Sequence, residues 1–183
     1  MAGKALPKKF SPSGKFSSFT IKIGKREIPK YEAEFWTSKQ RQSSSLHEIS
    51  YRACFKAEVP RFFIQWLTEI GDTVYDPFNG RGTTIIEAGL LGRNVIANDL
   101  NPLSEILSRP RFSIPDREIV LQRLNGIKIN PNAKAGIDLS MFFHPRTESE
   151  IVSLKNYLLR RKKTGTEDDV DGWIRMVATN RLT

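Results

Sequence analysis

The chain contains 183 residues, and its 29 Lys or Arg outnumber its 20 Asp or Glu, giving a net charge of +9 and a pI of about 9.8. This length suffices for one domain with a buried core, and the excess of basic residues favours a polyanionic partner. A single cysteine, Cys54, excludes an intrachain disulfide and a cysteine-based zinc site; with no secretory signal and no apolar run of about 18 residues, we expect a cytoplasmic protein without a metal.

The basic charge is concentrated at the start of the chain. Residues 1–30 hold eight Lys or Arg and one acid, Glu27, so this segment carries +7 of the total charge of +9. Its Pro, Gly, Ser and Thr content is typical of irregular backbone. We therefore expect residues 1–45 to form a basic, partly flexible N-terminal arm and residues 46–183 to form the folded region. The arm either follows nucleic-acid phosphates or is a solvated tail, and the sequence leaves both open.

Regular patterns begin after the basic segment. Phe35 and Trp36 are interpreted as a cover for a sheet edge, with stacking on nucleobases as the alternative. Residues 58–69 carry apolar side chains at helical spacing. Two β-leaning runs, 73–77 and 94–98, flank a glycine turn and a helical stretch, which is the pattern of a βαβ unit.

The remainder of the chain is predicted to be mainly helical. Short helices are expected at 103–107 and 116–124, with weaker strand candidates near 111–114 and 137–140. Two further helices are marked by a hydroxyl with an acid three residues later, at Thr147 and Thr166.

Two features of this helical part have alternative interpretations. His144, next to a proline, is expected to be an ordinary loop residue. The basic run at 160–163 either offsets the dipole of the helix that it ends or contacts phosphate, and the first interpretation is favoured.

The glycine turn between the two strands is the candidate ligand site. Gly80 and Gly82 allow the backbone to approach a ligand closely, and the N–H groups of the following helix can face it. Asp99 follows the second strand, roughly 20 residues beyond the turn, where such folds bind ribose hydroxyls. These features indicate a cofactor of the adenosine type.

Three classes of cofactor compete for this turn. A nucleoside triphosphate is unlikely, because Gly82 is followed by Thr83 and Thr84 and not by the lysine of a Walker loop. The position of the third glycine in the dinucleotide fingerprint holds Ile85, which weakens NAD or FAD without excluding them. S-adenosylmethionine remains, and its cationic methionine end suits the acid Asp76 before the glycines.

A longer string of residues resembles a known family. Asp-Pro-Phe-Asn-Gly-Arg-Gly-Thr-Thr at 76–84, with Asn-Asp-Leu-Asn-Pro at 98–102, is similar to the cofactor motifs of DNA methyltransferases that modify adenine N6 or cytosine N4. In that family's pattern, Asp-Pro-Phe-x-Gly-x-Gly-Thr-Thr, the position between the glycines is open. The resemblance covers residues 46–103 and implies a Rossmann-like, S-adenosylmethionine-dependent methyltransferase fold of the α/β class, with DNA as the partner and DNA methylation in restriction-modification as the setting.

The resemblance also assigns residues to the cofactor. Asp99 is expected to hold the ribose, Leu100 and Pro102 to flank the adenine, and residues 51–60 to pack beside the methionine moiety. The complete set implied for cofactor binding is Tyr51, Phe55, Lys56, Asp76, Pro77, Phe78, Gly80, Gly82, Thr83, Thr84, Asp99, Leu100, Asn101 and Pro102.

The catalytic motif of the family is missing. These enzymes hold the target amine with Asp, Asn or Ser followed by Pro-Pro and an aromatic residue, whereas the ten prolines of this chain include no Pro-Pro pair. Methylation at cytosine C5 would need a cysteine after a proline, and Cys54 follows Ala53. The catalytic residues are therefore unknown, and we expect the chain to be inactive alone.

The leading hypothesis is the cofactor-binding part of a DNA amino-methyltransferase, without the C-terminal strands of a sheet that has seven strands in the family. The missing part would lie on a second chain or on absent sequence. The alternatives are a non-catalytic nucleic-acid-binding module with a degenerate nucleotide fold, and an RNA methyltransferase.

Overall fold

The computed structural model describes residues 17–32, 44–49, 51 and 54–182, which fall into two compact units meeting in sequence at Ser108 and Arg109. The interpretation of Phe35 and Trp36 lies outside the described residues. Within the described ranges, no helix has the length and apolar character needed to cross a membrane. The division into an arm at 1–45 and a folded region at 46–183 stays a prediction.

A β-hairpin begins the first unit. Strand β1 (Ser17–Ile23) pairs antiparallel with β2 (Arg26–Glu32) around a two-residue turn in which Gly24 has a φ of 59°. Pro29 lies opposite Thr20 in the register. The expectation of irregular backbone through residue 30 was wrong here, because the alternation of apolar and polar residues in β1 is a strand pattern that the high charge obscured.

Helix α1 (Glu58–Leu67) confirms the predicted helix at 58–69 with an end two residues earlier. Pro60 lies in its first turn, where no backbone N–H is needed. Phe62 and Ile64 are buried. The Trp66 ring meets the ring of Tyr31 from β2 edge-on, with 5.7 Å between the ring centroids, so the hairpin contacts this helix.

The predicted βαβ unit is confirmed. Strands β3 (Thr73–Asp76) and β4 (Asn94–Ala97) are parallel, and helix α2 (Thr83–Leu90) connects them. In the register, Thr73 faces Asn94 and Asp76 faces Ala97. Both strands therefore end at the same edge of the sheet, and the residues that follow them are brought together there.

One apolar surface of this small sheet is exposed. Tyr75 and Ile96 are partners in the register, and their exposed fractions are 57% and 54%. Parallel sheets are normally covered on both faces, and two strands alone are seldom stable. Helix α3 (Leu103–Ser108), predicted at 103–107, ends the first unit.

The second unit consists of helices. A 3₁₀ turn at Arg109–Phe112 leads to α4 (Arg117–Asn125), α5 (Pro145–Lys163) and α6 (Asp169–Leu182). The prediction for 116–124 is confirmed, since Asp116 is the N-cap of α4 and its carboxylate accepts the amide hydrogen of Glu118. Leu158, Val170 and Ile174 form the core of this unit.

Both weak strand predictions in this unit were wrong. Residues 109–112 form the 3₁₀ turn, whose Pro110 cannot donate to a strand ladder and packs near Gly172 of α6. Around residue 138 the backbone turns, because the amide of Ser140 donates to the Asp138 carboxylate at 2.9 Å.

The predicted helix starts also need correction. Helix α5 begins at Pro145, ahead of Thr147, and His144 is its N-cap: the His144 Nδ1 accepts the amide hydrogen of Arg146 at 3.2 Å. Proline is favoured at the first helical position, which explains the earlier start. Helix α6 begins at Asp169, three residues after Thr166.

Candidate functional site

Backbone hydrogen bonds fix the glycine turn at the edge of the sheet. The amide of Asn98 donates to the Asp76 carbonyl at 2.9 Å, and the amide of Asn79 donates to the Asn98 carbonyl at 3.0 Å. These bonds extend the contact between the two connections beyond the strands. Gly80 and Gly82 then take φ values of 54° and 88°, a region that other residues rarely adopt.

The carboxylate of Asp99 lies against this turn. Its Oδ2 accepts the amide hydrogen of Gly80 at 2.7 Å, and its Oδ1 accepts that of Asn101 at 2.8 Å. These backbone bonds, from Asn101 and then Gly80, hold the pKa of the Asp99 carboxyl below its usual value. Asp99 is therefore ionised at neutral pH, and each oxygen keeps acceptor capacity for a ligand hydroxyl.

A second acid and an apolar rim lie at the same edge. Asp76 accepts the amide hydrogen of Phe78 at 3.0 Å. The side chains of Phe78 and Leu100 are almost fully exposed, at 88% and 101%. Exposed apolar side chains next to a charged turn can cover the flat ring of a ligand.

Tyr51 reaches the turn from an earlier part of the chain. Its Cε1 lies 3.6 Å from the position that a Cβ on Gly80 would occupy, so the ring lies directly beside the turn. Phe55 and Lys56 lie farther along, just before α1, with Phe55 41% exposed.

The remaining predicted residues follow in chain order. Thr83 and Thr84 open α2, and the Thr83 side chain is buried. Pro77 lies in the turn between Asp76 and Phe78, and Asn101 and Pro102 follow Leu100 in the connection to α3; all three are exposed. The structure thus brings Tyr51, Gly80 and Asp99 into direct proximity.

Two buried polar residues near the turn, His47 and Glu87, were missed, together with the partly exposed Arg61. The His47 Nε2 lies 2.7 Å from the Glu87 Oε1, and both side chains are fully buried. Arg61 donates to the other oxygen of Glu87 at 3.3 Å. A sequence signal did exist, since Glu87 follows the apolar Ile85 and Ile86, and a buried acid requires partners. The partners themselves were not apparent.

Arg81 was also missed, although it lies between the two glycines. Its side chain is buried, and one terminal nitrogen donates to the carbonyl of His47 at 3.0 Å and to that of Ile49 at 2.9 Å. The Arg81 Nε donates to the Thr83 hydroxyl at 3.1 Å. One guanidinium therefore joins the turn, the start of α2 and the segment that leads to Tyr51.

Asn79 connects the turn to α3. Its amide nitrogen donates to the hydroxyls of Ser104 at 2.6 Å and Ser108 at 3.2 Å. The side chain is buried, and its Oδ1 finds no hydrogen-bond partner among the described residues. The bonds to α3 fix the loop that carries the glycines.

The donors and acceptors of this edge suit one kind of ligand. Two acids flank the glycine turn, and exposed apolar side chains adjoin it. This combination fits a molecule with vicinal hydroxyls, a positive charge and a flat ring. A side chain at Gly80 would fill the space beside Tyr51. In the described part of the chain, no group of three His, Cys, Asp or Glu is arranged to hold a metal ion.

The second unit contains a separate polar groove of about 500 Å³. Its lining includes Lys128, Asn130, Ser153, Asn156, Tyr157 and Arg160. The Arg160 guanidinium lies over the Tyr157 ring, 5.7 Å from the centroid. The neighbouring Arg161 instead donates to the buried carboxylate of Asp171 at 2.8 Å. Two neighbours of the basic run thus differ in role, with Arg160 in the groove and Arg161 paired with a buried carboxylate.

Comparison with known proteins identifies the family. A family model described as DNA methylase, of the N6/N4 type, matches residues 8–107. This match includes the turn, Asp99 and Tyr51 and extends over more than half of the chain. The chain belongs to the N6/N4 DNA methylase family.

Two relatives found by sequence agree with this assignment, and a solved structure shares part of the sequence. Type II methyltransferase M.MjaI of Methanocaldococcus jannaschii is 29% identical over 116 residues, which cover 63% of this chain and 38% of the relative. Type II methyltransferase M.BsoBI of Geobacillus stearothermophilus is 34% identical over 91 residues, covering 49% and 16%. The solved PvuII DNA methyltransferase (cytosine-N4-specific) is 33% identical, with a TM-score of 0.34 and coverage of 40% of this chain and 27% of that structure. The chain therefore spans well under half of the length of each.

Proposed function

We propose that this chain is the S-adenosylmethionine-binding part of a DNA methyltransferase that acts on the exocyclic amine of adenine or cytosine. The observation that carries the proposal is the Asp99 carboxylate, held 2.7 Å from the Gly80 amide inside the region matched by the family. An acid at this edge of a βαβ unit is suited to the hydroxyls of a ribose.

Each part of the site has a role in this proposal. Asp99 accepts hydrogen bonds from the ribose hydroxyls, and Leu100 and Pro102 flank the adenine. The backbone at Gly80, Gly82 and Thr83 lies along the cofactor. The bound cofactor supplies an electrophilic methyl group on its sulfonium.

The cationic end of the cofactor is assigned to the other side of the site. The Asp76 carboxylate attracts the positive charges of the methionine end, since opposite charges favour each other strongly at a partly desolvated site. The segment carrying Tyr51, Phe55 and Lys56 packs beside the methionine moiety.

The βαβ unit is proposed to be one part of a larger Rossmann-like sheet. The exposure of Tyr75 and Ile96 on a two-stranded parallel sheet supports this, because such a surface is normally covered. The relatives are also much longer than this chain. Residues outside this sequence, on the same protein or on a second chain, would complete the sheet and supply the Pro-Pro motif that holds the target amine.

DNA is the proposed macromolecular substrate. The net charge of +9 and the polar groove with Arg160 and Lys128 support contact with phosphates. A non-catalytic nucleic-acid-binding module is the second candidate, favoured by the absence of a Pro-Pro pair.

Calorimetric titration with S-adenosylmethionine, NADH and ATP tests the proposal. We expect binding of S-adenosylmethionine and of its demethylated product, S-adenosylhomocysteine, with much weaker binding of NADH and ATP. Preference for NADH would replace the methyl donor by a dinucleotide. DNA binding without affinity for any of these small-molecule ligands would favour the non-catalytic module.

A further inference from the structure

We propose that Arg81 is a positioning residue that holds residues 47–49 against the glycine turn and so makes Tyr51 a wall of the cofactor site on the methionine side. This inference rests on the proposed function. The family pattern leaves the position between the glycines open, so the resemblance assigns no role to Arg81.

The backbone and the side chain of Arg81 contact different parts of the first unit. The backbone of Arg81 lies between Gly80 and Gly82, both at positive φ, and therefore forms part of the turn. Its side chain is buried and bonds to the carbonyls of His47 and Ile49. The turn and the earlier segment are consequently fixed to each other by a single planar group.

The segment that Arg81 holds leads directly to Tyr51 at the glycine turn. Tyr51 follows Ile49 by two residues, and its ring lies beside Gly80. A guanidinium that bonds two carbonyls in one segment restricts both its distance and its orientation. Displacement of residues 47–49 would therefore move Tyr51 away from the turn.

The contact between His47 and Glu87 also holds this segment in place. The imidazole of His47 lies against Glu87 on α2 while the carbonyl of His47 accepts from Arg81. Helix α2 and the turn thus hold residue 47 through its side chain and its backbone. Of the described residues in this segment, 47–49 and 51, none lies in a strand or an α-helix, so this pair of contacts is what places the segment.

A purely structural role is the rival explanation, and Arg93 provides a matched control. Arg93 lies between α2 and β4, and it donates to the carbonyls of Leu91 and Thr68 and to the Thr68 hydroxyl. Arg81 likewise donates to two carbonyls and one threonine hydroxyl. Arg93, however, immediately precedes β4, and the glycine turn follows β3. Because the two strands are parallel, these positions lie at opposite edges of the sheet.

The test compares Arg81→Met with Arg93→Met by calorimetry, using S-adenosylmethionine and adenosine as the two ligands. We expect Arg81→Met to bind S-adenosylmethionine roughly tenfold more weakly, while adenosine, which lacks the methionine moiety, loses less than about twofold. Tyr51→Ala should give the same pattern. Arg93→Met should leave both affinities within about twofold of the wild type. This should hold even if its melting temperature falls as much as that of Arg81→Met.

A double-mutant cycle completes the test. If Arg81 acts through Tyr51, the combined variant binds S-adenosylmethionine no more weakly than Tyr51→Ala alone. Should Arg81→Met fail to fold, Arg81→Lys keeps the charge without the two-carbonyl contact and replaces it in the same comparison.

Three outcomes would overturn the positioning role: equal losses for the two ligands, equal effects of the Arg81 and Arg93 variants, or additive losses with Tyr51→Ala. Absence of S-adenosylmethionine binding by the wild-type chain would instead contradict the proposed function. The two failures are thereby distinguished.

Discussion

Asp99 accepts a hydrogen bond from the backbone amide of Gly80 at 2.7 Å, although the two residues are 19 positions apart. This contact joins the connection after β4 to the connection after β3. In the proposed function, a ribose hydroxyl would meet a carboxylate that these backbone bonds orient. Preorganisation of this kind lowers the cost of binding.

Replacement of Asp99 by Asn tests this site directly. The substitution preserves size but removes the charge and one acceptor, and we expect a loss of about 1.5–3 kcal/mol in S-adenosylmethionine binding, or more than about tenfold in Kd. Asp138→Asn is the control, because Asp138 accepts from the backbone amide two residues later, as Asp99 does. Calorimetry should show unchanged affinity for the control; equal losses would remove Asp99 from the site.

Acid stability depends on an ion-pair cluster in the second unit. The side-chain bond from Arg123 lowers the pKa of Asp168 to about 2, from 3.8. Because the folded-state pKa is the lower one, the ionised carboxylate stabilises the fold above about pH 4, and this stabilisation is lost as the pH falls toward 2. Urea unfolding of Asp168→Asn should therefore depend less on pH in this window than that of the wild type. Glu150→Gln, which removes an exposed pair with Arg146, should retain the wild-type dependence.

Loss of Glu87 should destabilise the first unit, because its carboxylate is fully buried. Glu87→Ala removes the carboxylate that the buried His47 contacts, and we expect a cost of about 1–3 kcal/mol in the free energy of unfolding. Glu118→Ala removes an exposed pair with Arg117 and should cost less than about 1 kcal/mol. Equal shifts of the urea midpoint would show that the buried contact contributes little.

The polar groove should contribute to DNA binding through Arg160. Arg160→Gln is expected to reduce the salt dependence of duplex binding by roughly one phosphate contact, a slope change of about 0.9. Lys162→Gln makes the same change of charge two residues away, about 200° around α5, and should leave the slope unaltered. Gel-shift titrations over a range of salt concentrations measure both. A similar change of slope in the two variants would indicate that the overall positive charge, and not the groove, determines the salt dependence.

The chain alone should not methylate DNA. Binding of the cofactor supplies a methyl group, but no Pro-Pro motif is present to hold the amine of a flipped base. The measurement is transfer of labelled methyl from S-adenosylmethionine to duplex DNA of mixed sequence. Repeated transfer by the purified chain would show that other residues perform this role.

Local patterns explain what was predictable in the fold. The βαβ unit followed from two short apolar strands, a glycine turn and helical spacing between residues 73 and 98. Asp99 was selected for the same reason, because its distance from the turn is characteristic of such units. Its bond to Gly80 confirms that the two lie together, while its role toward a cofactor stays a prediction.

Long-range contacts explain what was missed. His47 and Glu87 are 40 residues apart, and nothing near either residue indicates the other. The role of Arg81 likewise depends on carbonyl groups 32 and 34 residues away. The false strands near 111–114 and 137–140 are short alternations of polar and apolar residues, and local turn chemistry prevailed there.

Pro29 makes the outer edge of β2 less able than the parallel sheet to pair with a further strand. Proline has no amide hydrogen, so within β2 its nitrogen must point away from β1, and a strand arriving at that side would lack a donor. Strands β3 and β4 carry no proline, so neither lacks an amide donor for this reason. A polypeptide that finishes the fold would therefore add more readily to the parallel pair than to the outer edge of β2, and Pro29 protects that edge from edge-to-edge aggregation.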